Sequence, residues 1–87
     1  MKYIAKIEQS ATESQPYIQT VTFDAANDVE LDKLLDEYAN YGQGKGITVD
    51  NSKMPARFNE SGGFASTLIS FVDENGRDVS HLERGAF

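Results

Sequence analysis

Apolar and polar residues alternate from Lys2 to Gln9. Tyr3, Ala5 and Ile7 fall on one side and Lys2, Lys6 and Glu8 on the other, with Ile4 the exception. A period of two predicts a half-buried strand. The pattern returns from Tyr17 to Phe23, where Tyr17, Gln19, Val21 and Phe23 alternate with Ile18, Thr20 and Thr22. β-branched and aromatic residues dominate there, as strands prefer. Ser10 to Gln15 is polar and aperiodic and runs into Pro16, which predicts a hairpin loop with a flexible tip.

The period changes between Asn27 and Gly42. Leu31, Leu34, Leu35, Tyr38 and Tyr41 recur at the spacing of one helical face, predicting a helix over Asp28 to Tyr41. Asn27 suits the N-cap, with Glu30 three residues on to close a capping box. Asp28, Glu30 and Asp32 lie in the first turns, where the positive end of the helix dipole favours acids. Gly42 suits the left-handed position that ends a helix. A helix about 21 Å long is marginal alone in water, so its apolar stripe must dock. Tyr3, Ala5, Ile7, Val21 and Phe23 are expected beneath it.

Gly42, Gly44 and Gly46 lead out of the helix into a short third strand, Ile47 to Val49. Asp50 to Gly63 carries no period and predicts a long loop. Within it, Met54, Arg57 and Phe58 are residue types found at interface centres. The competing expectation, favoured here, is that Met54 and Phe58 fold back over one end of a small core. Phe64 to Val72 is apolar on both faces, with Ala65, Ile69 and Phe71 on one and Phe64, Leu68 and Val72 on the other. Asp73-Glu74-Asn75-Gly76 then carries an Asn-Gly hairpin signal, and Arg77 to Leu82 would return as a fifth strand. Phe87 is either frayed or docked. The order β-β-α-β-β-β predicts a single α+β domain over residues 1–87. It comprises one antiparallel β-sheet of four to five strands with one α-helix packed across one face. The other face would hold Ile4 and Ile18 and, in one register, Leu68 with Phe64 and Val72. Such a face calls for a cover, which points to a homodimer or a protein partner.

Charge sharpens the picture. The net charge is −6, and between Asp24 and Glu37 six acids stand against one base, Lys33. Asp28, Asp32 and Asp36 recur every four residues on a flank of the helix, about 6 Å apart. The eight bases are scattered singly, which argues against direct nucleic-acid binding, since that needs clustered Lys and Arg. A protein partner with a basic surface fits better. The plainer alternative is an acidic helix that only keeps the protein soluble. There are no cysteines and one histidine, which excludes disulfides, thiol chemistry and a multi-histidine metal site within the chain. No signal-peptide pattern and no apolar run of membrane-spanning length occur, so a soluble cytoplasmic protein is expected.

Catalytic chemistry finds no foothold in the pattern. The glycines at 42, 44 and 46 come after a helix rather than before one, the reverse of a phosphate loop. Asp32 and Asp36 lack the further oxygen ligands of a hard-metal cage. His81 beside Ser80 or Ser66 does not make a triad. No enzyme activity, cofactor or metal is expected. The first functional expectation is an inhibitor or adaptor that presents Asp28, Asp32, Asp36 and Glu37, with Met54, Arg57 and Phe58, to a basic site on another protein. Small acidic phage proteins that block host nucleases, restriction enzymes or CRISPR complexes are similar in size and charge only. Two alternatives stand beside it. One is a sequestering dimer that binds a nucleotide or metabolite near Tyr3, Tyr17, Gly44 or Arg57. The other is an accessory subunit joined to an assembly through its sheet edge.

Overall fold

The computed structural model describes Met1–Phe87. One antiparallel sheet contains β1 (Lys2–Ala11), β2 (Ser14–Asp24), β3 (Ile47–Asp50) and β4 (Ala65–Asp73), in the order β3-β2-β1-β4. The helix α1 (Asp28–Tyr41) lies over one face. It starts at the β4 side, where Asp28 meets Arg77, and ends at the β3 side, where Tyr38 packs on Phe23. The architecture is the α+β layer pair expected from the chain.

Local chemistry sets the ends of α1. The Asn27 side chain accepts from the Glu30 N–H at 3.0 Å, and the Glu30 carboxylate accepts from the Ala26 N–H at 2.9 Å. The reciprocal bond thus lands one residue before the cap itself. Gly42 adopts φ 70° and donates its N–H to the Tyr38 carbonyl; a side chain there would be strained. Leu31 and Leu35 are fully buried against Tyr3, Ala5, Ile7, Val21, Phe23 and Phe71. Leu34 and Tyr38 pack at the edge of this core, whereas Tyr41 is 75% exposed.

Three local expectations need correction. The segment Ser10–Gln15 is not a loop: β1 runs on to Ala11 and β2 begins at Ser14, with Ala11 paired to Ser14. Its polar composition reflects distance from α1, and the tip is tied down where the Thr12 N–H bonds to the Gly62 carbonyl. The fifth strand does not form. After the turn, chain pairing stops at one bridge, Val72 to Asp78, and Ser80–Leu82 closes into a 3-10 turn. The Asp78 carboxylate accepts from the Ser80 N–H at 2.8 Å, a local bond that competes with a strand ladder. Val79 consequently turns into the core, fully buried. The third correction concerns β4. A bulge between the pairs Lys6–Ser70 and Ile7–Leu68 inserts Ile69, and an inserted residue exchanges the faces of the residues beyond it. Leu68 therefore packs toward the core and Ile69 lies on the open face, the reverse of the simple alternation.

The C-terminal segment is docked. The Phe87 ring sits 5.4–6.0 Å from the rings of Tyr38, Phe71 and Phe23, within the range of favourable aromatic contacts. α1 covers only one end of its sheet face. At the other end Phe58 stands edge-on to Tyr17 at 4.9 Å and touches Phe64, forming a second, smaller apolar cluster.

Candidate interaction surface

The acidic row on α1 divides into two halves. Asp28 accepts from the Tyr3 hydroxyl at 2.9 Å and from Arg77 at 3.0 Å. Arg77 in turn donates its Nε to Asp73 at 3.0 Å. Asp73 is the one buried charged residue, and it also accepts from the backbone N–H groups of Asn75 and Arg77. The Arg77 guanidinium thus bridges two carboxylates and pins the helix start to the end of β4. The Tyr3 bond, and after it Arg77, holds the Asp28 carboxyl below its usual range; the Arg77 bond does the same for Asp73. Burial, and then the Asp28 carboxylate, push the Tyr3 hydroxyl upward. One turn along, Asp32 receives Arg84 in two bonds of 2.7 and 2.8 Å, which raises the Arg84 pKa. Asp28 and Asp32 are therefore engaged within the chain, fastening the segment after β4 to the helix.

Asp36 and Glu37 form no ion pair and are exposed. They lie toward the end of α1, whose last turn holds no base. Acids near a helix C-terminus add to the negative end of the dipole rather than offset it. Tyr41, one turn beyond Glu37, projects into solvent beside them. The helix end therefore combines two unpaired carboxylates, an uncompensated dipole and an exposed aromatic ring.

The loop residues separate by role. Phe58 is buried in the smaller cluster with Tyr17 and Phe64, and Met54 is half-buried. Arg57 is exposed, holds a left-handed backbone (φ 67°) and pairs with Glu60 at 3.6 Å. The structure places these three at the opposite end of the molecule from Asp28. Residues of the expected ligand pocket are also dispersed. Tyr3 and Tyr17 face the same side of the sheet, yet Tyr17 pairs with Gln9, six residues along β1 from Tyr3 and about 20 Å away. Gly44 lies against the Glu37 side chain. His81 sits exposed in the 3-10 turn, while Ser66 is engaged with Gln9 at the far end of β4.

One surface escaped the sequence pattern, and a second, the apolar outer face, was expected without Ile69. A row of polar side chains crosses the sheet beyond α1: Ser66 donates to Gln9, Gln9 to Gln19 at 3.0 Å, and Gln19 to Asn51 at 2.8 Å. The only sequence sign of it is glutamine at two inward positions of otherwise apolar alternation. On the opposite face, Ile18 and Ile69 flank Lys6 and Thr20 in a shallow depression of about 240 Å³. Ile4 and Val72 pair directly beside it. No helix is long and apolar enough to cross a membrane. Comparison with known proteins gives no relative: no family model, no curated protein and no solved structure matches the chain.

Proposed function

We propose that this protein is a small acidic protein-binding module, an inhibitor or adaptor that seats the end of α1 in a basic site on another protein. Asp36 and Glu37 supply the charge and Tyr41 the anchoring ring. The observation that carries this reading is the set of unpaired acids near the helix end where the fold gains least from them. Elsewhere on α1 the acids are met, Asp28 by Arg77 and Asp32 by Arg84. A guanidinium or ammonium group from a partner would supply the missing counter-charge, and exposed tyrosine is a common interface anchor. The net charge of −6 would steer the approach to a positive groove. Grooves of that kind bind nucleic acid, so the partner class that fits is a nucleic-acid-binding enzyme, such as the restriction or CRISPR nucleases that small acidic phage proteins block.

The test is affinity capture from host extract with the wild-type chain and with the double variant Asp36→Lys/Glu37→Lys. The wild type should retain a basic nucleic-acid-binding protein that added DNA displaces. The double variant should fold and lose it. Equal retention by both chains would overturn the proposal.

A further inference from the structure

The two edges of the sheet are built differently. β3 is four residues long, ends in Asp50 and lies between Lys45 and Lys53. Short, charged edges resist pairing with other chains. β4 is nine residues long, and no charged residue occurs from Ser61 to Val72. Its far half is closed by the chain itself, because the Phe71 carbonyl accepts from Val79 and the Asp73 N–H donates to Arg77. Those bonds show that Phe71 and Asp73 direct their backbone groups away from β1. Counting back through the bulge at Ile69, the residues directed outward in the near half are Leu68 and Ser66. These two have no strand beside them.

We infer that the Ala65–Ile69 edge of β4 pairs antiparallel with the same edge of a second copy, about a two-fold axis through Thr67. In this register Ser66 stands opposite the partner's Leu68, and each such pair exchanges two backbone hydrogen bonds. Side chains then match large to small: Ile69, 55% exposed, faces the partner's Ala65, and Leu68 faces the partner's Ser66. The same register brings the partner's Phe64 level with Ser70. There the β4 edge borders a depression of about 310 Å³ lined by Leu68, Phe71, Val72, Asp78 and Ser80. Phe64 is 58% exposed in the single chain, and this depression is the complement that would cover it. A two-fold contact must be self-complementary, and an uncharged strand carrying both the ring and its recess meets that condition. It also lets two chains of net charge −6 meet without opposing acids. The result is an eight-stranded sheet, β3-β2-β1-β4-β4-β1-β2-β3, with both helices on one side. The assembly is independent of what α1 binds.

The chain contains no cysteine, so a single introduced thiol reports the seam without ambiguity. Residues opposite each other in a non-hydrogen-bonded antiparallel pair lie about 4.5 Å apart at Cα, within disulfide range. Thr67→Cys should therefore cross-link to a dimer under mild oxidation, while Thr48→Cys on β3 should not. Light scattering should give the wild type twice the 9.6 kDa chain mass. Thr67→Lys should halve that mass and leave the circular dichroism unchanged. A wild type that stays monomeric at all concentrations overturns the inference. So does a dimer that survives Thr67→Lys, or one in which T48C cross-links as readily as T67C.

Discussion

Arg77 shows how much of this fold rests on single polar groups. It joins Asp28 to Asp73, and Asp73 lies almost wholly out of water. A buried carboxylate needs such partners, because leaving it unpaired costs more than the pair gains. Both carboxyls are held below the ordinary value of 3.8. A depressed carboxyl stabilises the fold fully above its unfolded pKa and loses that contribution as pH falls through the folded one. Unfolding free energy should therefore be level from neutrality down to about pH 4 and fall below it. Asp73→Asn should be less stable at pH 7 and show a shallower acid limb, measured by denaturant titration across pH. None of this was legible in the sequence. Asp28 and Arg77 are 49 positions apart, and no local pattern links an aspartate on a helix to an arginine after a turn. A separation of 52 positions likewise concealed the bond from Arg84 to Asp32, so a row of acids that looks free along the chain is half engaged in the fold.

Elements were legible where their signals are local. The helix announced itself through Asn27, Glu30, Gly42 and the leucine spacing, and all of these act within one or two turns. Leu31→Ala should cost about 2–5 kcal/mol, the range for emptying a buried leucine site, and a denaturation midpoint would read it. Strand faces were legible in β1 and β2 because no bulge interrupts their pairing from Lys2 to Gln9, so Ile4, Ile18, Gln9 and Gln19 vary the alternation without shifting it. They were not legible in β4, where a bulge at Ile69 shifts the pairing with β1 and no glycine or proline in the strand marks it. The segment after Gly76 was misread for a different reason: the Asp78 side chain takes the Ser80 N–H and bends the chain into a 3-10 turn. That bend brings Phe87 back onto Phe23, Phe71 and Tyr38. Phe87→Ala should lower stability by about 1–2 kcal/mol, less than a fully buried ring because this one is part-exposed. It should also speed hydrogen exchange from Arg77 onward more than in β1.

At the scale of the molecule, charge and apolar surface are sorted to different places. The helix end carries unpaired acid, the Ala65–Ile69 edge of β4 carries no charge, and the face opposite α1 carries Ile4, Ile18, Ile69 and Val72 among threonines and Lys6. This sorting keeps the acidic helix end clear of the seam inferred between two copies. Asp32→Lys would disturb the Arg84 clasp, whereas Asp36→Lys with Glu37→Lys removes charge that no residue of the chain uses in an ion pair.

The most direct measurement is the salt dependence of the dissociation constant for the captured complex, taken for wild type and for Asp36→Lys/Glu37→Lys. A contact made by the helix acids predicts wild-type affinity that weakens steadily as salt screens the charges, and much weaker binding by the variant at low salt. Affinity that does not change with salt, and is the same in both chains, would contradict it.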